Sequence, residues 1–258
     1  LGSPGLGDYE VTFSLAQSVV HGTFGGGGNP HASLASTTAG NLLVAIIGGS
    51  SSGGISTSFT MPAGWTLVNS GTLTVQVNSG SHAIIGFAFY WNNPGGITSV
   101  TATFNDGGGN TSGWIELQEW SGALSSSNPF DSTAGLVTNG VNGAGGALSA
   151  TLTPTLTDSL VIAAFTGVQS GTNDWGTDAG WTQDDVFHYT GYNTGVAVQH
   201  VIDAALSAET ANITVPGSFV ASVLGMIAFQ ATDSNAGSTY PVGYERYDSP
   251  RTNYLNRM

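Results

Sequence analysis

The chain has 258 residues, 40% hydrophobic and only 7% charged, with a formal net charge of -13 and no Lys or Cys. Its only cations, Arg246, Arg251 and Arg257, lie near the C-terminal end, so the rest lacks the positive charge that nucleic acid or an anionic membrane requires. The absence of Cys removes disulfides and thiolate metal sites, and no apolar run approaches the roughly 20 residues of a transmembrane helix.

Leu1-Gly2-Ser3-Pro4-Gly5 reads as a processed or trimmed start, without the basic opening and apolar middle of a secretory signal. Residues 1–8 form a Gly/Pro-rich arm on this reading. Val11, Phe13 and Leu15 alternate with Thr12 and Ser14, the period of a half-buried strand. Gly22 to Pro30, with its Gly25–Gly28 run, is expected to be a flexible loop. A phosphate-binding glycine loop needs a following helix and a basic partner, and neither is present.

Strands are expected at Leu34–Ile47, Thr66–Val77 with a break near Gly71, Ala83–Trp91, Ser99–Phe104 and Trp114–Trp120. A second series follows at Leu148–Phe165, Thr182–Tyr189, Gly195–Ile202, Ala211–Val215 and Ser222–Gln230. The two series are one pattern used twice. Leu42-Leu43-Val44-Ala45-Ile46-Ile47 leads to Ala63-Gly64-Trp65-Thr66, and Leu160-Val161-Ile162-Ala163-Ala164-Phe165 leads to Ala179-Gly180-Trp181-Thr182. Short strands, turn residues between them and no helical period predict an all-β fold, an antiparallel β-sandwich or jelly roll.

A sheet with one apolar face must cover it, and the repeat is the obvious cover. The expected domain therefore runs over 9–232, with halves near 9–127 and 147–232, and an extended C-terminal arm over 233–258. Two sequential sandwiches are the alternative, with the polar stretch from Asn128 to Gly146 as either crossover or linker.

Trp65 and Trp181 each follow Gly at a strand start, where an indole closes the end of a core over a tight turn. Trp91 and Trp175, beside or within loops, are the better candidates for ligand contact. Glu116 and Glu119 are oddly spaced on one strand and so point to opposite faces, wrong for an acid–base pair. A hydrolase would need carboxylates converging from distant strands, so no catalytic residue is assigned and no enzyme is expected. Asp174, Asp178, Asp184 and Asp185 read as a solvated acidic loop, with calcium as the alternative. No cofactor is otherwise expected. The five His have no zinc-like spacing, although His188 and His200 fall on strands that a hairpin would join.

The segment Thr239–Met258 combines every Arg with four tyrosines and two prolines. Tyr and Arg anchor interfaces, and a cationic peptide docks on an acidic copy by charge complementarity. Tyr240, Tyr244, Arg246, Tyr247, Arg251, Tyr254 and Arg257 are thus the candidate partner-binding residues.

Ala39-Gly40-Asn41-Leu42-Leu43-Val44-Ala45, Pro62-Ala63-Gly64-Trp65-Thr66-Leu67-Val68 and Glu119-Trp120-Ser121-Gly122-Ala123 with Pro129-Phe130-Asp131 together resemble a jelly-roll module of bacteriophage minor tail and virion surface proteins. The resemblance covers about Ala32 to Ala231. It implies a non-enzymatic structural protein on a virion exterior, as capsid decoration, minor tail or fibre, in a homo-oligomer or with other virion subunits. A carbohydrate-binding adhesion module contacting a host surface glycan is the alternative. Nucleic acid and membrane are not expected partners.

Overall fold

A computed structural model describes residues 12–17, 20–24, 28–51, 54, 56–105, 112–123, 127–142, 147–169, 178–189, 194–214 and 219–231. Among them there is no α-helix, and no helix long and apolar enough to cross a membrane. The first half contributes β1 (Ser14–Leu15), β2 (Val20–Phe24), β3 (His31–Ser33), β4 (Leu42–Ser51), β5 (Phe59–Thr60) and β6 (Thr66–Leu67). It continues with β7 (Thr74–Asn78), β8 (Ser81–Tyr90), β9 (Ser99–Thr101), β10 (Thr103–Phe104) and β11 (Ser112–Ser121). The second half contributes β12 (Val137–Asn142), β13 (Ala147–Leu152), β14 (Ser159–Gln169), β15 (Thr182–Tyr189), β16 (Thr194–Asp203), β17 (Glu209–Thr214) and β18 (Phe219–Phe229).

Every ladder is antiparallel, and the halves repeat the same order. In the first, β4 lies between β11 and β8, with β1 and β2 on the outer side of β11 and β6 and β7 beside β8. In the second, β14 lies between β18 and β16, with β12 outside β18 and β15 outside β16. The small β3–β9 ladder answers the β13–β17 ladder.

Side-chain alternation turns these ladders into four layers. Leu42, Val44 and Ile46 of β4 share an apolar core with Leu160, Ile162 and Ala164 of β14, so the two main sheets pack face to face. The alternate residues point outward. Ala45 and Ile47 are covered by Ala32, Val100 and Phe59, and Val161, Ala163 and Phe165 by Leu148, Ala150, Leu152 and Ile213. Each main sheet is therefore buried on both faces, which explains why its central strand is a continuous apolar run rather than an alternating one.

Several expected boundaries move. The run expected over Leu148–Phe165 is two strands, β13 and β14, in different layers, and Asp158 between them has φ 58°. The strand expected from Leu34 begins at Leu42, because Gly40 turns there with φ 86°. Gly22, expected in a flexible loop, sits in β2, where an added Cβ would collide with the His31 carbonyl. The stretch 128–146 contains β12, which pairs with β18.

Candidate functional site

The two sheets meet differently across their width. Beneath β8 the contact is apolar, with Phe89 stacked on Phe130 and edge-on to Phe229 at centroid distances of 5.5 and 5.4 Å. Beneath β11 it is polar. The even positions Ser112, Trp114, Glu116, Gln118 and Trp120 share one face of that strand, and their side chains link to the second half or to each other.

At one end the Ser112 hydroxyl lies 3.1 Å from Ser50 Oγ and 3.3 Å from Thr194 Oγ1, and the Trp114 indole donates to Thr166 Oγ1 at 3.1 Å. At the other, Trp120 Nε1 donates to Gln118 Oε1 at 2.9 Å, while Gln118 Nε2 donates to Glu116 Oε1 and Asp184 Oδ2, both at 3.1 Å. Asp184 Oδ1 lies 2.6 Å from His200 Nδ1, and the His200 ring packs edge-on against Trp120. Beside them His21 stacks on Phe187 at 4.4 Å. His21 Nδ1 stands 2.6 Å from Asp185 Oδ2, an ion-pair distance reached without hydrogen-bond alignment.

Local backbone geometry assembles this cluster. His21 lies directly opposite Glu116 in the β2–β11 ladder. Asp184 and Asp185 are neighbours that a regular strand would send to opposite faces, but the β15–β16 register shifts between Gln183 and Asp185. This β-bulge re-aims the side chains. Asp184 reaches Gln118 and His200, and Asp185 reaches His21.

The electrostatics follow from enclosure. Glu116 is fully buried and its Oε2 has no hydrogen-bond partner. Burial, then the charges of Asp185 and Asp184, push its carboxyl well above the ordinary range, and the Gln118 bond only partly offsets them. Burial also raises Asp184, against the opposing pull of the His200 bond and charge and of Gln118.

Two other buried carboxylates hold turns. Glu119, on the opposite face of β11 as expected, accepts from Thr38 N and Asn41 Nδ2, both at 2.7 Å, and from Gln17 Nε2. Asp131 accepts from the backbone of Thr133, Ala134 and Thr155 and from the Thr155 hydroxyl, at 2.7–3.2 Å. Burial alone would raise Asp131, but the bonds from Ala134, Thr155 and Thr133 together bring it below its ordinary value. These two carboxylates fix corresponding places in the repeat, the entries to β4 and β14.

The acidic loop expected around Asp184 and Asp185 is corrected: both belong to β15 and face the other half. Asp178 is bound instead by Gln199 Nε2 and the Asn212 amide, and Asp174 lies outside the described residues. Among the described residues no three His, Asp or Glu converge as a metal site. His188 and His200 do lie on paired strands, but His200 faces Asp184 while both His188 nitrogens are buried without partners.

Trp181 is a core residue of the second half, and Trp65 packs partly buried against the outer core of the first. Trp91 is partly buried against the inter-sheet core. Trp175 and all seven tail candidates, Tyr240, Tyr244, Arg246, Tyr247, Arg251, Tyr254 and Arg257, lie outside the described residues.

At the opposite edge from the acidic cluster, a cleft of about 330 Å³ opens between the halves. Val68, Asn69, Thr74, Phe130, Leu136 and Thr138 line it, with no ionisable side chain among them. No protein-family model, curated protein or solved structure matches the chain.

Proposed function

We propose that the chain is a non-enzymatic structural protein of a virion exterior, serving as capsid decoration, minor tail or fibre component. The observation that carries this reading is where the resemblance-bearing residues lie. Leu42 and Val44 fill the inter-sheet core, Glu119 and Asp131 hold the turns entering the central strands, and Gly64 turns with φ 95° against Tyr90. These residues build the four-layer stack.

The one convergent set of carboxylates described above supports the same reading. Glu116 is 0% exposed, so a substrate atom has no contact with the group whose raised pKa would suit a general acid. A body without Lys or Cys also offers few reactive side chains for an exposed particle to lose.

The terminal arms supply attachment on this reading, with the Tyr/Arg segment docking on other virion subunits or on another copy. Light scattering of the full chain and of one ending at Asp233 tests it. A defined oligomer or particle-bound form that depends on the tail is expected. A full-length chain that is monomeric and fails to bind purified particles contradicts it.

The cleft favours a second reading, a carbohydrate-binding adhesion module. An amide, two hydroxyls and an aromatic ring in a charge-free hollow match a neutral glycan better than an ionic ligand. Titration with neutral oligosaccharides distinguishes the two: saturable binding lost in Asn69→Ala favours adhesion, and absence of binding leaves the structural reading alone.

A further inference from the structure

We propose that Glu116, Asp184, Asp185, His21 and His200 form a proton-operated latch between the two sheet halves, closed while Glu116 is a neutral acid and loosened when it ionises. The argument begins with counting charge. Three carboxyl groups face one another across the inter-sheet space, Glu116 from β11 and Asp184 and Asp185 from β15. Two imidazoles face them, His21 from β2 and His200 from β16. Each imidazole stands 2.6 Å from one Asp, so even with both protonated the positive charge is already matched. Among the described residues Glu116 has no counter-charge.

The flanking elements supply none. β4 and β14 present Leu42, Val44, Ile46, Leu160, Ile162 and Ala164 to this space, and the chain has no Lys and no Arg before Arg246. Nor is the third carboxylate satisfied by hydrogen bonds. Gln118 donates to Oε1, and Oε2 is buried with no partner. A buried carboxylate with a single donor and no counter-ion neutralises itself by holding a proton.

The position makes that proton structural. Gln118, which contacts Glu116, also bonds Asp184 on the opposite sheet, and His21, opposite Glu116 in its ladder, pairs with Asp185 on that same sheet. Ionisation of Glu116 places a third negative charge beside the two that hold these cross-sheet bonds. Repulsion then acts directly on the contacts between β11 and β15.

The sign is fixed. A carboxyl whose folded pKa lies above its unfolded value has no effect on stability while both states are protonated, and lowers stability as pH rises through the folded value. The raised pKa of Asp184 acts in the same direction. The window thus opens above the ordinary Glu value of 4.5.

Denaturant unfolding from about pH 5 to about pH 8 tests the latch in the unaltered chain and in Glu116→Gln, which keeps the shape and the Oε1 acceptor but cannot ionise. The folding constant of the unaltered chain is expected to fall relative to that of the variant by roughly tenfold or more across this range, since one fully released proton is worth up to about tenfold per pH unit. Parallel profiles would overturn the proposal. A second measurement needs no variant: amide exchange in the unaltered chain, corrected for its intrinsic pH dependence, is expected to lose protection at β11 and β15 before β4 and β14 as pH rises. Uniform loss across all four strands would contradict a latch.

Discussion

Asp131 and Glu116 are both buried carboxyl groups, at 1% and 0% exposure, yet their environments drive their proton affinities in opposite directions. Asp131 sits in a turn that aims the amides of Thr133 and Ala134 at it, and Thr155 at the entry to β14 adds its amide and hydroxyl; these hold the charged form. Glu116 sits on a regular strand whose own amides serve the β4 and β2 ladders, leaving only the Gln118 side chain to donate. Asp131 is both less deeply enclosed and better supplied with donors than Glu116, and the two together keep it ionised. Turns release backbone amides for this purpose, and a strand between two partners does not.

This contrast is sharpest when each carboxyl is altered in turn. Asp131→Ala strands several donors at the entry to β14 and is expected to cost on the order of 3 kcal/mol in denaturant unfolding near neutral pH. Because its folded pKa is depressed, the contribution of Asp131 is present above the ordinary Asp value of 3.8 and lost as pH falls through the folded value. Asp131→Asn should accordingly flatten the acid side of the stability profile. Glu119→Ala removes the corresponding bonds at the entry to β4, for an expected loss of about 2 kcal/mol by the same measurement. A negligible loss in either would show that these turns hold without their carboxylates.

Glu116→Gln is expected to move the other way, gaining about 1.4 kcal/mol or more near pH 8 and little near pH 5. A loss near pH 8 would mean that the carboxylate is better served than its unpartnered Oε2 indicates. His21→Ala should change stability least, by less than about 1 kcal/mol, because its ring is 43% exposed and its pairing with Asp185 is screened. A larger loss would place more of the latch at the rim than in the interior.

The same contrast marks what was legible in the sequence. The duplicated apolar runs of β4 and β14 and the Gly-Trp-Thr turns announced two equivalent halves, since continuous burial on both faces leaves a continuous signature. Alternation correctly separated Glu116 from Glu119. It did not reveal what Glu116 faces, because Asp184 and Asp185 come from the other half and share their side of the interface only through a bulge, which no residue type dictates. The polar even positions of β11 were the available hint: Ser112, Glu116 and Gln118 on a face that a sandwich must bury.

Short or polar strands were also missed. β12, Val137–Asn142, reads as a linker because its polarity suits an edge, and β2 hides behind the glycines that follow it. The break between β13 and β14 was obscured by apolar character on both sides of Pro154. Strand length and change of layer are set by packing between halves, which local composition does not encode.

Carboxyl-carbon NMR of Glu116, followed across pH in the folded chain, tests the claim about the seam most directly. The account predicts a resonance that keeps the position of a neutral acid well above pH 4.5, where an ordinary Glu has ionised, and that titrates only as β11 and β15 lose protection. A carboxylate signal at neutral pH in the intact fold would contradict it.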